Sequence, residues 1–129
     1  MIRQGPIPRF VHGLIEYVAA AALIVAPFVL DFNGAATAVS IVAGLIVLVV
    51  ASVTEGPTSL INSLPLPAHI LLDYALAALL IAAPFLFGFS GETTPTAFFI
   101  ALGVLHLLVT IATRFRGPEK PRRAATPEA

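Results

Sequence analysis

Two pairs of ionisable side chains recur in this sequence with the same order and spacing. His12 is followed four residues later by Glu16, and His69 is followed four residues later by Asp73. Residues four apart lie on the same face of an α-helix, so each imidazole is placed beside a carboxylate. Imidazole and carboxylate groups bind divalent metal ions, exchange protons and form hydrogen bonds, and this spacing leaves all three chemistries open.

His106 is the remaining histidine, and its sequence neighbours are apolar. It precedes Arg114 by about eight residues, or roughly 12 Å of helix, a depth similar to that of Asp73. Asp73 and His106 could therefore form a hydrogen bond with each other. Such bonds between membrane helices more often have a structural role than a chemical one. Each acid is followed by a tyrosine, which is typical of the aromatic belt at a membrane surface. The candidate polar cluster thus contains His12, Glu16, Tyr17, His69, Asp73, Tyr74 and His106.

Four long apolar runs must position these residues. They cover residues 11–30, 35–53, 68–87 and 97–112. Each is near the roughly 20 residues that a bilayer-spanning helix needs. Only 11% of the 129 residues are charged and 58% are hydrophobic, whereas roughly a quarter of a soluble domain is charged. The sequence therefore predicts an all-α fold, a bundle of four transmembrane helices.

The bundle is predicted to consist of two tandem copies of one helical hairpin. A shift of 57 positions aligns residues 12–34 with residues 69–91, and 12 of the 23 aligned positions are identical. Each copy crosses the membrane twice, so both copies start on the same side and are related by an axis along the membrane normal. The first span is then equivalent to the third. This equivalence argues against cleavage of the first span as a signal peptide.

Proline, phenylalanine and glycine mark the two hairpin turns. A proline removes a backbone hydrogen bond and bends or ends a helix, and one lies near the end of span one and another near the end of span three. We expect compact structural corners at these places in preference to ligand sites. The corner residues are Pro27, Phe28 and Gly34 in the first copy, and Pro84, Phe85 and Gly91 in the second.

The distribution of positive charge predicts the topology. All 7 Lys and Arg residues lie before the first span or after the last, and positively charged flanks stay on the cytoplasmic side. We therefore predict a multi-pass protein of the inner, or plasma, membrane with both termini cytoplasmic. The predicted parts are a cytoplasmic segment (1–9), a first membrane repeat (10–56), a cytoplasmic linker (57–66), a second membrane repeat (67–116) and a disordered cytoplasmic tail (117–129).

The repeated segments carry a family resemblance. A helix that ends in Ala-Pro-Phe, a Phe-x-Gly turn and a second helix with a central glycine occur twice, over about residues 10–114. This pattern resembles the bacterial SPW-repeat membrane proteins, which are named for a Ser-Pro-Trp signature in each two-helix repeat. Here Ala26-Pro27-Phe28 and Ala83-Pro84-Phe85 stand in place of that signature. The resemblance implies a fold of two membrane hairpins and implies no activity.

The sequence shows no catalytic motif. It contains no cysteine, its serines lack the Gly-x-Ser-x-Gly turn of a nucleophile elbow, and its glycines do not form a phosphate-binding loop. We therefore predict a non-enzymatic membrane scaffold or accessory subunit without a cofactor. Its expected partners are the lipid bilayer and either other membrane protein subunits or a second copy, and nucleic acid is not among them.

Several chemical alternatives remain for the polar cluster. His12 and His69 could supply two axial ligands to a haem, or the two His–acid pairs could bind a divalent metal ion within the bundle. The acids and His106 could instead relay protons or line a permeation path. The simplest interpretation is that the pairs anchor the helix ends at the membrane surface. A visible spectrum and a metal analysis of the purified protein separate these hypotheses.

Overall fold

The computed structural model describes residues 5–114, most of which lie in four long helices. The helices are α1 (Arg9–Val29), α2 (Gly34–Val53), α3 (Leu66–Leu86) and α4 (Thr93–Ala112). Each is long and apolar enough to cross a membrane, which confirms the prediction of an all-α bundle of four transmembrane helices. Helix α4 begins earlier than its apolar run, because Pro95 is tolerated in a first helical turn, where backbone N–H groups have no partner within the helix.

The helices pack as two hairpins. Helix α1 lies along α2 and α3 lies along α4, while contacts between the hairpins are sparse. Small residues allow the close approach. A Cβ atom added at Gly44 would lie 2.8 Å from Cγ1 of Ile24, and one added at the equivalent Gly103 would lie 2.7 Å from Cγ1 of Ile81. The same packing device therefore operates in both copies of the repeat.

The two hairpins are joined reciprocally at one end of the bundle. The short strands β1 (Ile7–Pro8) and β2 (Thr113–Arg114) pair in parallel, with Ile7 opposite Thr113. Thr54, at the end of α2, forms a parallel bridge with Leu64, just before α3. The end of each hairpin is thus paired with the start of the other, the pattern that a two-fold axis between the copies produces. Both ends of the described chain therefore lie on the same side of the bundle.

The prolines at the opposite end do not stop their helices. Pro27 lies inside α1 and Pro84 inside α3, and each helix continues for two further residues. Their carbonyl groups then accept hydrogen bonds from the backbone N–H groups of Phe32 (3.1 Å) and Phe89 (2.9 Å). Because these bonds close each turn after the proline, the corner is compact, as the sequence predicts, but it begins two residues after the proline.

The aromatic and glycine residues of the turns divide into two groups. Phe32 and Phe89 are buried, whereas Phe28 and Phe85 are 71% and 64% exposed on the outer surface. The turn glycines Gly34 and Gly91 have open space around them. The left-handed backbone position is instead held by Asp31 (φ 53°) and Gly88 (φ 76°), which are equivalent under the 57-residue shift.

The apolar core lies between the helices near the turns. Phe89 meets Phe99 edge to face with ring centroids 5.2 Å apart, and Phe32 approaches Phe98 at 5.6 Å. Only 33–39% of each span is buried within the bundle. The remaining surface carries many exposed large hydrophobic side chains, which suits contact with acyl chains.

Candidate functional site

Helices α1 and α3 bring four ionisable side chains into one buried cluster near the joined ends of the hairpins. His12 and Glu16 are each 3% exposed, His69 is 4% exposed and Asp73 is 3% exposed. The pairs lie within the first two turns of their helices, and the equivalent positions in the two copies face each other. We call the group formed by His12, Glu16, His69 and Asp73 the His–carboxylate ring.

Two nitrogen and two oxygen atoms alternate around this ring. Oε1 of Glu16 lies 2.7 Å from Nε2 of His12 and 2.7 Å from Nε2 of His69. Oδ2 of Asp73 lies 3.1 Å from each of the same two nitrogens. Every carboxylate therefore contacts one imidazole of its own helix and one of the other hairpin. The ring is a major connection between two hairpins that otherwise touch little.

Two threonines determine which imidazole nitrogen points into the ring. Nδ1 of His12 lies 2.7 Å from Oγ1 of Thr113, and Nδ1 of His69 lies 2.6 Å from Oγ1 of Thr54. Each threonine hydroxyl donates its proton to the carbonyl four residues earlier, in the last turn of the preceding helix. A hydroxyl has one proton, so its oxygen must accept from the imidazole. Nδ1 therefore carries a proton in both histidines, and Nε2 faces the carboxylates.

His106 on α4 lies against the ring on one side. It is 4% exposed, and its Nε2 lies 3.4 Å from Oδ1 of Asp73. Nε2 of His106 is buried and has no hydrogen-bond partner within the described residues. The Asp73–His106 contact that the sequence left open is thus present as a close approach without hydrogen-bond geometry.

The position equivalent to His106 in the first copy is Val47, which is also buried. A cavity of about 170 Å³ lies on this side, lined by Glu16, Asp73 and apolar side chains of α2 and α3 that include Val47. Replacing an imidazole by the smaller valine leaves this space. The ring is therefore symmetric, but the wall around it is polar on one side and apolar on the other.

The two tyrosines of the candidate cluster have different environments and lie outside the ring. The hydroxyl of Tyr17 donates a 2.8 Å hydrogen bond to the carbonyl of Thr58 in the α2–α3 loop. Tyr74 is 41% exposed on the outer surface. The structure thus brings together the five ionisable members of the candidate cluster and leaves both tyrosines at its edge.

The α2–α3 loop covers the ring at the end of the bundle. The guanidinium of Arg9 donates a 2.6 Å hydrogen bond to the carbonyl of Glu55, and a Cβ atom added at Gly13 would collide with the side chain of Thr58. Beneath this cover is a cavity of about 30 Å³ whose lining includes Glu16 and both histidines of the ring. This volume holds about one water molecule.

The two threonines and the loop that covers the ring were not predicted from the sequence. A signal for the threonines was present, since Thr54 and Thr113 each follow the central glycine of their hairpin, Gly44 or Gly103, by ten residues. Their importance depends on contacts between one hairpin and the other. Neither Thr58 of the loop nor Arg9, which contacts the loop from the start of α1, carried a repeat signal.

The geometry limits the chemistry of the ring. Carboxylate oxygens of Glu16 and Asp73 occupy the space between the imidazoles of His12 and His69, where the plane of a haem would have to lie. The ligand atoms of the four residues lie within 4.8 Å of one another, which is close enough for a single metal ion. The same contacts also form a continuous hydrogen-bonded chain that protons can follow.

Comparison with known proteins identifies the family. No curated protein and no solved structure matches this chain. The SPW repeat domain matches residues 10–113, which include all four helices and the ring. The resemblance noted from the Ala-Pro-Phe and Phe-x-Gly segments is confirmed, and this chain belongs to the SPW repeat family of multi-pass membrane proteins.

Proposed function

We propose that this protein is a non-enzymatic scaffold or accessory subunit of a membrane protein complex. The observation that carries the proposal is the closure of the polar cluster. The His–carboxylate ring is buried beneath the α2–α3 loop, and the cavity beside it measures about 30 Å³. General acid–base catalysis needs a substrate held within hydrogen-bond reach of the catalytic group. The space beneath the loop holds about one water molecule, and the larger cavity of about 170 Å³ beside Glu16 and Asp73 is otherwise lined by apolar side chains, which offer no further polar group to orient a substrate.

The outer surface of the bundle supports a binding role. A shallow groove of about 310 Å³ runs along α2 between Val42, Leu45, Ile46, Val49 and Val50. Helix association in membranes depends on close van der Waals packing, so such a groove accepts a ridge of side chains from another membrane helix. The partner that fits is a further membrane subunit or a second copy of this chain.

Native mass spectrometry of the protein extracted in lipid nanodiscs tests this proposal. We expect the chain to leave the membrane in a fixed ratio with a second protein or a second copy. The variant Ile46→Trp fills the groove, since Ile46 is 51% exposed, and should reduce the assembly. Leu105→Trp on α4, where Leu105 is 53% exposed, is the matched control. A single copy of the chain without a protein partner contradicts the proposal.

We also propose that both termini are cytoplasmic in the inner, or plasma, membrane. The pairing of Ile7 with Thr113 places both ends of the described chain on one side, and all 7 Lys and Arg residues flank the first and last helices. Positive flanks favour the cytoplasmic side. A reporter fused at residue 129 should be active only in the cytoplasm, and activity on the other side contradicts this topology.

Proton handling is a second candidate function, because the contacts of the ring form a chain from His12 to His106 through Glu16, His69 and Asp73. Intramembrane ionisable groups of this kind relay protons in transporters. Liposomes that contain the protein and the pH-sensitive dye pyranine test it. A proton flux that Asp73→Asn abolishes supports the relay, and the absence of flux in the unmodified protein rejects it.

A further inference from the structure

We propose that the His–carboxylate ring and His106 together form a binding site for one divalent first-row transition-metal ion. The scaffold role does not require this site, and the site does not depend on that role. Three features of the buried cluster support this site: the direction of the imidazole lone pairs, the spacing of the ligand atoms, and the Nε2 atom of His106, which has no hydrogen-bond partner among the described residues.

The lone pairs of the ring converge on one point. Because Thr54 and Thr113 accept the Nδ1 protons, a neutral imidazole at His12 or His69 presents the bare nitrogen Nε2 to the carboxylates. Ionised carboxylates are acceptors only. Acceptors at 2.7 Å repel each other, so a positive centre must lie among them, which is either protons or a metal ion.

The spacing of the ligand atoms suits a metal ion. Bonds from zinc to imidazole nitrogen or carboxylate oxygen measure about 2.0–2.2 Å. Neighbouring ligand atoms around such an ion therefore lie about 2.8–3.1 Å apart at a right angle and about 3.3–3.6 Å apart at the tetrahedral angle. The neighbouring atoms of the ring lie 2.7–3.1 Å apart. The ring therefore has close to the spacing of ligands at right angles around one ion, and a tetrahedral arrangement needs a further separation of about 0.2–0.9 Å.

His106 is the independent observation that points to a ligand. Its side chain is almost fully buried, yet its Nε2 has no hydrogen-bond partner within residues 5–114. Leaving a buried polar group unsatisfied costs about 1–3 kcal/mol. This nitrogen lies 3.4 Å from Oδ1 of Asp73, so a metal ion held by Asp73 is within reach of a small rotation of the imidazole.

The second layer of contacts matches that of metal-binding histidines. Such histidines donate their other N–H group to an oxygen, which fixes the ring orientation and the tautomer. Thr54 and Thr113 do this for His69 and His12. In a low-dielectric interior the site must also be close to neutral, and the two carboxylates balance one divalent cation when the imidazoles are neutral.

The ligand types select the class of ion. Imidazole nitrogen suits zinc, cobalt, nickel and iron, while magnesium and calcium prefer oxygen ligands alone. The site offers nitrogen from His12, His69 and His106 and oxygen from two carboxylates. The chain contains 3 histidines and no cysteine, so a metal signal with histidine ligands in the untagged protein can come only from this cluster.

Titration of the full-length, untagged protein in detergent with Co²⁺ tests the proposal. We expect one Co²⁺ per chain, visible d–d absorption bands of a four- or five-coordinate ion, and displacement of the bands by one equivalent of Zn²⁺. An unmodified protein that binds neither Co²⁺ nor Zn²⁺ saturably would overturn the proposal and leave a purely hydrogen-bonded ring.

Two variants show whether the ion occupies the ring. Asp73→Asn keeps the shape of the side chain and should abolish the absorption bands. Thr54→Val keeps every ligand but removes the acceptor of the Nδ1 proton of His69, and should weaken Co²⁺ binding by about 10–100-fold. Thr54 is thus a positioning residue, and a shift in the absorption bands separates this role from simple destabilisation.

Thr37→Val is the matched control. Thr37 donates a hydrogen bond to the carbonyl of Phe32 at the opposite end of the bundle, so this change removes a similar bond and should leave Co²⁺ binding unaltered. Far-UV circular dichroism monitors folding in each variant. If folded Asp73→Asn and Thr54→Val bind Co²⁺ as tightly as the unmodified protein, or Thr37→Val weakens binding equally, the assignment is wrong.

Discussion

The two hairpins of this protein share a backbone arrangement but differ in what surrounds the ring. Each histidine of the ring contacts an acid of its own helix and a threonine of the other hairpin. These residues are His12, Glu16 and Thr113 in one set and His69, Asp73 and Thr54 in the equivalent set. Outside this set the copies diverge, since His106 of the second hairpin corresponds to Val47 of the first.

This difference separates contacts that occur in both copies of the repeat from a contact that occurs in one copy only. Contacts that hold the hairpins together recur in both copies, as do the glycine positions that let α1 approach α2 and α3 approach α4. The contact at His106 occurs once, and it is made by a buried atom without a hydrogen-bond partner in the described chain. A feature that stabilises the symmetric bundle would be expected in both halves, so the single imidazole points to a different role.

The largest expected effect is at Asp73. Its carboxylate contacts the imidazoles of His12, His69 and His106, whereas that of Glu16 contacts His12 and His69. Removing one member of a buried ionic cluster leaves the others uncompensated and costs about 3–5 kcal/mol. Asp73→Ala should lower the free energy of unfolding by about 3 kcal/mol, and Glu16→Ala by less.

Equilibrium unfolding in mixed detergent micelles, followed by far-UV circular dichroism, measures this difference. Equal losses in the two variants would show that His106 adds nothing to the cluster. A greater loss in Glu16→Ala would reverse the comparison between the hairpins.

The next effect concerns the glycines of the helix contacts. A Cβ atom at Gly44 or Gly103 would come within 3.0 Å or less of a neighbouring isoleucine side chain, and overpacking of this kind costs about 1–3 kcal/mol. Gly44→Ala and Gly103→Ala should each lower the free energy of unfolding by about 2 kcal/mol, and by similar amounts, because the surroundings are equivalent.

Gly34→Ala is the control for this pair, since nothing lies within 4 Å of the added atom. Its melting temperature should stay close to that of the unmodified protein. If only one of Gly44→Ala and Gly103→Ala lowers the melting temperature, the two helix contacts are not equivalent.

A smaller effect on stability is expected when the residues at positions 47 and 106 are exchanged between the hairpins. His106→Val introduces the residue of the first hairpin. It removes a nitrogen that has no hydrogen-bond partner in the described chain, which should stabilise the fold, but it also removes the contact with Asp73, which should destabilise it. These effects oppose each other, so the free energy of unfolding of the ion-free protein should change by about 1 kcal/mol or less. Val47→His places an imidazole beside the cavity of about 170 Å³ that Glu16 also lines. In a protein that carries both His106→Val and Val47→His, Glu16→Ala should lower the free energy of unfolding more than Asp73→Ala does.

The same unfolding assay compares Glu16→Ala and Asp73→Ala in the exchanged background. If Asp73→Ala stays the more costly change there, the difference between the acids does not come from His106.

The smallest expected effect on stability is a difference between the two tyrosines, Tyr17 and Tyr74. The Tyr17 hydroxyl donates to the carbonyl of Thr58, whereas Tyr74 is 41% exposed. Tyr17→Phe should lower the free energy of unfolding by about 1 kcal/mol, and Tyr74→Phe should stay within about 0.5 kcal/mol of the unmodified protein. Thermal melts of the two variants in one detergent measure this, and equal melting temperatures would show that the bond to the loop contributes nothing.

The amino-acid sequence by itself determined the architecture. Hydrophobic length predicted four spans because a helix must satisfy its backbone within the bilayer, and the repeat predicted two equivalent hairpins because identical residues recur at a 57-residue shift. The spacing of four residues placed His12 beside Glu16 and His69 beside Asp73, since helix geometry alone decides which side chains share a face.

Only the tertiary structure decided what these pairs do together. Periodicity gives the face of a helix but not the partner that the face meets. The sequence therefore left a meeting of the two pairs as one alternative, and the bonds from Glu16 to His69 and from Asp73 to His12 came only from the structure. The roles of Thr54 and Thr113 depend on each hairpin contacting a histidine of the other. These distances arise from the packing of two hairpins about a shared axis, and that packing places five separated ionisable residues in one buried cluster.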